Sequence, residues 1–341
     1  MTTSTNPTIQ SSVAIEDVTG LKERSLIQRL SSSQPFWVTV ALLIICIAMT
    51  IDQPEAFASS DNFYNITRNF AFIGIMAIGM TAVILTGGID LSVGSLMGLV
   101  GVVCGLLLQG QHHWATAIAA GLATGALAGA VNGFLVAYVG LPSFVVTLGM
   151  LSIARSLAIV LSGNRMIYEF GPYGDTFIEI GGGAVLGIAN PVWVLIALAL
   201  AFGVIFNFTG WGNYLYAIGG NENAARLTGV PVRRIKMQAY IVSGLTAAIA
   251  SVMVVGWQGS AINALGQGYE LRVIASTVIG GADLMGGAGG AYGAVVGAAL
   301  IEVIRNSLLM AGVDANWQGA FVGLFIVLAV LLQRIRGRRS A

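Results

Sequence analysis

The chain is 341 residues long, 56% apolar and only 9% charged, with 46 glycines and a formal net charge of +1. A soluble globular chain carries about 25% charged residues. At about 20 residues per spanning helix, the uncharged runs fill most of the length with membrane segments. That leaves little room for a soluble catalytic module and excludes a nucleic-acid binder.

Residues 1–35 form a polar, Ser- and Thr-rich stretch expected to be a cytoplasmic tail, partly disordered. The spans then read Phe36–Ile51, Ile66–Thr86, Leu91–Leu108, Trp114–Val139, Phe144–Leu161 and Pro191–Phe208. After a polar loop at 209–237 come Gln238–Trp257, a short segment Arg272–Ala282, Ala291–Met310 and Trp317–Leu332. The expectation is an all-α polytopic membrane protein of about ten helices with glycine-broken segments. Its membrane domain runs over 36–335, before a basic tail at 336–341. Ala56-Phe57-Ala58 superficially resembles a signal-peptidase site, but the tail before it is too long for a cleaved signal.

Charge placement sets the orientation. Eleven of the sixteen Lys and Arg fall in three places: Lys22, Arg24 and Arg29; Arg226, Arg233, Arg234 and Lys236; and Arg334, Arg336, Arg338 and Arg339. The positive-inside rule puts all three on the cytoplasmic side. Six spans between the first two and four between the last two keep the parity. Both termini are therefore expected to be cytoplasmic. Loops 52–65 and 162–190, acidic in balance, fall on the outer side.

Charged groups inside spans are costly and default to functional candidates. Asp90 lies in Gly87-Gly-Ile-Asp-Leu-Ser-Val-Gly94, and Asp283 in Gly280-Gly-Ala-Asp-Leu-Met-Gly-Gly287. Matched glycine-interrupted segments in two parts of a membrane chain point to a transport path. The other reading is a pair of tight turns in which Asp caps the following helix. Six helices separate the motifs, which implies a parallel repeat. Arg155, in mid-span, must face the interior; it pairs with a carboxylate such as Asp90 or binds carbonyls at a helix end. Glu302 and Arg305, three apart on one helix, neutralise each other. The Gly- and Ala-rich stretch Ala119–Gly133 lets helix backbones approach closely. Asn132 within it is interhelical glue or lines a pore. His112 and His113 have no third ligand nearby, and Cys46 and Cys104 are small apolar residues, so neither a metal site nor a disulfide is indicated.

The loop before the seventh span carries a helix signature: Asn221 as N-cap, Glu222 at the positive helix start, and Gly229 with Pro231 as the stop. A short capped helix among basic residues reads as a docking element. The bland alternative is a basic loop attracted to anionic lipid headgroups. Lys22 and Lys236 are the only lysines and neither follows a glycine, so there is no phosphate-binding Gly-x-x-x-x-Gly-Lys-Ser/Thr loop. Energy from ATP would have to come from a partner.

Several stretches together resemble the membrane permease subunits of bacterial ABC importers for ribose, xylose, galactose and similar monosaccharides. They are Gly87–Ser95; Leu141–Met150 with Ser152–Arg155; Ala217–Gly229; and Gly266–Leu271 with Val278–Gly281 and Leu284–Gly287. The resemblance covers about residues 36–335. It implies a homodimeric permease in the bacterial inner membrane, a cytoplasmic ABC ATPase and a periplasmic sugar-binding protein. No cofactor would be bound by this chain, with ATP and Mg used by the partner. The coupling helix would map onto Asn221, Glu222, Ala224, Ala225, Arg226 and Gly229. Candidates for lining or gating the sugar path are Gly87, Gly88, Asp90, Ser92, Asn132, Thr147 and Asp283. Glu270 and Arg272, at the outer end of the short span, either close a gate or form a rim pair, and the rim pair is the expectation. The rival readings are an ion-gradient-driven secondary transporter using Asp90 and Asp283, and a related importer of nucleosides or branched-chain amino acids.

Overall fold

The computed structural model describes residues 33–314, together with 317, 319–321, 323, 324 and 327. The first 32 residues of the expected tail at 1–35, nine of the sixteen residues of the tenth span at 317–332 and the basic end at 336–341 lie outside the described residues.

The chain opens on α1 (Gln34–Asp52), entered through Pro35 in its first turn, and a single turn α2 (Pro54–Phe57). Next comes α3 (Ser60–Leu85), whose N-cap Ser59 accepts from the Asn62 amide. Helices α4 (Val93–Gln109) and α5 (Trp114–Phe134) follow, and α5 runs on into a π-helical turn, Leu135–Val139. Gly140 ends that turn at φ 83°, a left-handed conformation that glycine adopts without penalty. After α6 (Ser143–Leu161), the stretch read as a long loop holds structure of its own: α7 (Gly174–Gly182) and a hairpin of β1 (Ala184–Val185) with β2 (Ile188–Ala189). Then come α8 (Asn190–Phe208), α9 (Gly210–Gly220), α10 (Glu222–Leu227), α11 (Val232–Gln258), α12 (Tyr269–Ile279) and α13 (Ala291–Met310).

Seven of these helices are long and apolar enough to cross a membrane: α1, α3, α5 with its π turn, α6, α8, α11 and α13. At 1.5 Å per residue, the 17 residues of α4 reach about 26 Å and the 11 of α12 about 17 Å, against about 30 Å of hydrocarbon. The eighth segment is therefore a half-span, as its short apolar run implies. Helices α3 and α11 are the hub. From Ala71 to Leu85 every residue of α3 is buried, and α11 is buried over most of Ser243–Gly256. Around them α1, α6 and α8 turn most of their apolar side chains outward, where lipid replaces a protein core.

The hub closes at backbone contact. Gly121, Gly125, Gly129 and Gly133 recur every four residues and so share one face of α5. A β-carbon on Gly129 would fall 2.3 Å from the Tyr240 carbonyl oxygen, and one on Gly125 2.4 Å from that of Gly244. Replacing Gly129 with Leu should therefore prevent close approach of α5 to α11 and destabilise the bundle by roughly 3 kcal/mol or more. Thermal melting of the detergent-solubilised protein checks this. Gly203→Leu on α8 is the matched control, because nothing lies within 4 Å of a β-carbon there.

Candidate functional site

The polar residues of the bundle gather where the turn after α3 meets α5, α6 and α11. Helix α3 ends with the Gly87 amide donating to the Ile84 carbonyl and the Gly88 amide to that of Val83, while Gly87 takes φ 74°. Asp90 follows, fully buried. Its Oδ1 accepts from the Ser92 amide at 3.0 Å and the Ser92 hydroxyl at 2.6 Å, and its Oδ2 accepts from the Ser243 hydroxyl at 2.8 Å. Asn132 Nδ2 donates to Ser92 Oγ at 3.0 Å, joining α5 to the cluster. From α6, Thr147 donates to the Ile89 carbonyl and the Ser143 hydroxyl accepts from the Ile89 amide, each at 3.3 Å. Asp90, Ser92, Asn132 and Thr147 thus stand together, all buried.

Asp90 is not the N-cap of α4. That position belongs to Ser92, and Asp90 instead closes an Asx turn two residues ahead of itself. Asp283 makes the same turn, its Oδ1 accepting from the Met285 amide at 2.9 Å, but it is exposed and its carboxyl lies outside the buried cluster. The shared Gly-Gly-x-Asp-Leu sequence therefore encodes one turn used twice, once buried and once at the surface.

The two turns meet through their backbones. The Gly287 amide donates to the Leu85 carbonyl at 3.0 Å, satisfying an acceptor that the end of α3 leaves open. A β-carbon on Gly286 would lie 2.9 Å from the Gly87 nitrogen and 2.8 Å from the Gly219 Cα. Gly219, near the end of α9, would itself collide with the Leu85 carbonyl oxygen and the Gly287 nitrogen if it carried a side chain. The Tyr216 hydroxyl donates to the Gly289 carbonyl at 2.8 Å, fastening α9 to the second turn. Only glycines allow three chain segments to touch here.

Helix α10 hangs directly from that junction. Asn221 is its N-cap, accepting from the Ala224 amide at 3.0 Å, and Gly229 leaves it at φ 87°. Ala225 is buried while Ala224, Arg226 and Leu227 are exposed. Glu222 holds Arg226 one turn on at 3.1 Å and reaches Lys236 of α11 at 2.5 Å. The hydrogen bond from Lys236 is the leading cause that keeps the Glu222 carboxyl below the ordinary carboxylate range. A cavity of about 490 Å³ opens between these parts, lined by Thr86, Gly87 and Gly88 on one side and by Glu222, Arg226, Arg233, Lys236 and Tyr240 on the other.

The remaining intramembrane charges are tied down elsewhere. Arg155 donates to the carbonyls of Asn263 and Leu265 at 2.6 and 3.0 Å, which is the carbonyl alternative and not a pairing with Asp90. Glu302, buried, is gripped by Arg305 through Nε at 2.8 Å and through a second contact from its Nη2. The rim pair expected of Glu270 and Arg272 does not form. Glu270 accepts from the Gly268 amide at 3.2 Å, and the Arg272 guanidinium lies over the Tyr269 ring at 5.5 Å. A single residue between the two on a helix faces them apart.

Sequence reading missed Tyr240 and Ser243. Both are polar groups in an apolar span, and intramembrane polarity was the signal available. The partner of Ser243 is 153 residues away, so nothing local points to it.

An α-helical membrane bundle with a buried polar seam, and with a docking-sized helix joined to that seam, defines a multi-pass membrane transport protein. The chain belongs to the family described as branched-chain amino acid transport system / permease component, whose pattern matches residues 62–330. As a permease component it is a transport subunit and not itself an enzyme. It is 38% identical over 294 residues to the ribose import permease protein RbsC of Escherichia coli K12, covering 86% of this chain and 91% of that one. Over 301 residues it is 32% identical to the L-arabinose ABC transporter permease protein AraH of Azospirillum brasilense, covering 88% and 87% of the two chains. The fructose import permease protein FrcC of Rhizobium meliloti is 34% identical over 322 residues, covering 92% and 89%. No solved structure matches the chain.

Proposed function

We propose that this chain is the permease subunit of an ATP-driven ABC importer, giving a monosaccharide its route through the bacterial inner membrane. The observation that carries this reading is the glycine junction of Gly87, Gly219 and Gly286. Through backbone contacts it brings the start of α10, a capped and largely exposed helix, close to the polar turn of α3, which supports a docking role for that helix. Relatives named for ribose, arabinose and fructose favour a sugar as the solute. Ten spans with both ends cytoplasmic, the tenth over 317–332, accommodate the charge distribution. A second copy of the chain completes the channel. The outward side chains of α6, among them Phe144, Val145 and Leu148, offer an apolar face for it beside Gly149 and Ser152. A cytoplasmic ABC ATPase docks on Asn221, Glu222, Ala224, Ala225, Arg226 and Gly229, and a periplasmic binding protein delivers the sugar.

Within this reading Gly87 and Gly88 line the inner end of the path, since they form one wall of the cavity. Asp90, Ser92, Asn132 and Thr147 stand behind them and hold the turn in shape. Asp283 shapes the second turn from the outside. Hydroxyls and backbone groups suffice for a neutral polyol that another protein has already selected.

Uptake of labelled ribose into vesicles holding the permease, its ATPase and the binding protein tests the reading. Uptake should require ATP and persist when a protonophore dissipates the ion gradient. Loss of uptake with the protonophore while ATP is maintained would favour the ion-driven rival. ATP-dependent uptake of leucine but not of ribose would move the solute to branched-chain amino acids.

A further inference from the structure

Lys236, Tyr240 and Ser243 are spaced by four and three residues, so they share one face of α11. Each meets a different part of the site. Lys236 holds Glu222 of α10 at 2.5 Å, the Tyr240 hydroxyl stands against Gly88, and Ser243 donates to Asp90 at 2.8 Å. A single polar line therefore runs from the exposed short helix to the buried turn. The backbone carrying it is a continuous helix locked against α5 by glycine contacts, so it moves as a rod. The lower end opens on the cavity that Glu222, Lys236 and Tyr240 line together. One atom of the seam is left over in this arrangement: Asn132 Oδ1 is buried without a hydrogen-bond partner, while the Tyr240 hydroxyl pairs with Ser143. Native proteins seldom leave such a group unsatisfied, and it marks bonding capacity that a second arrangement of the seam would use. A packed element with two discrete arrangements is what coupling between distant sites requires.

We propose that this face of α11 transmits movement of α10 to the Asp90 turn, with Lys236 and Ser243 as positioning residues at its two ends. The proposal rests on α10 being the surface on which the ATPase docks. Neither residue touches sugar or nucleotide; each acts by holding another group.

The test uses the assembled permease, ATPase and binding protein in vesicles and reads sugar imported per ATP hydrolysed, with ATPase retention on the permease measured alongside. Ser243→Ala should lower that ratio about tenfold, the shift expected when one buried hydrogen bond to a charged partner no longer biases two states, and Lys236→Gln, whose pair with Glu222 is partly exposed, about fivefold. The ATPase should stay bound and keep hydrolysing. Lys236→Arg, which retains the cation, should restore the ratio, whereas a general packing defect would not be rescued. The double variant should be no worse than the weaker single variant, because both ends serve one element in series. An unchanged ratio in either single variant, or multiplicative losses in the double, overturns the proposal. If Ser243→Ala fails to accumulate, the comparison of Lys236→Gln with Lys236→Arg decides alone. The docking premise is tested separately: uptake undiminished after excision of 221–229 sinks it. Abolished uptake after that excision, with unchanged ratios in the point variants, sinks only the transmission.

Discussion

Glu222→Lys should abolish sugar uptake, by about a hundredfold or more, while the permease still inserts and folds. The fold survives because the pairs that Glu222 makes with Arg226 and Lys236 are partly exposed, and such pairs are worth no more than about 1 kcal/mol each. Docking should not survive. A lysine at that position breaks both pairs and sets a third cation against Arg226 and Lys236, so that α10 loses the orientation in which Glu222 holds it against α11. Excising 221–229 should have the same effect by removing the helix itself. The measurement is uptake by cells, with membrane levels of the permease and co-purification of the ATPase as controls. Wild-type uptake with a co-purifying ATPase would contradict the docking role. The pH dependence has a definite sign. Because the folded-state carboxyl titrates below its ordinary range, the stabilisation from Glu222 is fully present above that range and fades only as pH falls through the depressed value. The contact is intact throughout the neutral range.

How far the sequence discloses this architecture depends on how local each signal is. Asn221 as cap and Gly229 as stop were legible because capping is decided within a few residues, and α10 begins and ends as those residues dictate. The glycines of α5 were legible as a packing face because a four-residue spacing has one structural consequence. The half-span was legible from the length of its apolar run. What could not be read is pairing across the chain. Asp90 and Asp283 look alike in sequence and make the same turn, yet one is buried beneath Ser243 and the other faces solvent. Burial depends on which helix lies above the turn, and no local pattern specifies that. Arg155 shows the same limit. Its position required an interior partner, but the partners are backbone carbonyls of Asn263 and Leu265, and any residue's carbonyl would have read alike. The stretch 162–190 was read as a loop because α7 is only nine residues long and glycine-rich at both ends.

Asp90 offers the second large effect, and two substitutions separate shape from chemistry. Alanine removes every acceptor from the Ser92 amide, the Ser92 hydroxyl and the Ser243 hydroxyl, all buried. Each orphaned donor costs roughly 1–3 kcal/mol, which exceeds what a marginally stable bundle tolerates. Asp90→Ala should therefore reach the membrane poorly and melt early. Asparagine keeps the shape, and its carbonyl oxygen can replace Oδ1 for both Ser92 donors. Its amide nitrogen then faces Ser243, which must turn its hydroxyl and accept instead of donating. The turn stays closed and the ATPase stays bound, but the link from α11 now has reversed polarity. Asp90→Asn is expected to accumulate normally and to lower uptake about tenfold. Uptake and melting temperature measured on the same preparations distinguish the outcomes. If asparagine transports at the wild-type rate, the carboxyl does no more than close its Asx turn, which an asparagine side chain also closes. If asparagine melts as early as alanine, the carboxyl is a structural keystone, and lost uptake reflects lost fold rather than a reversed link from α11.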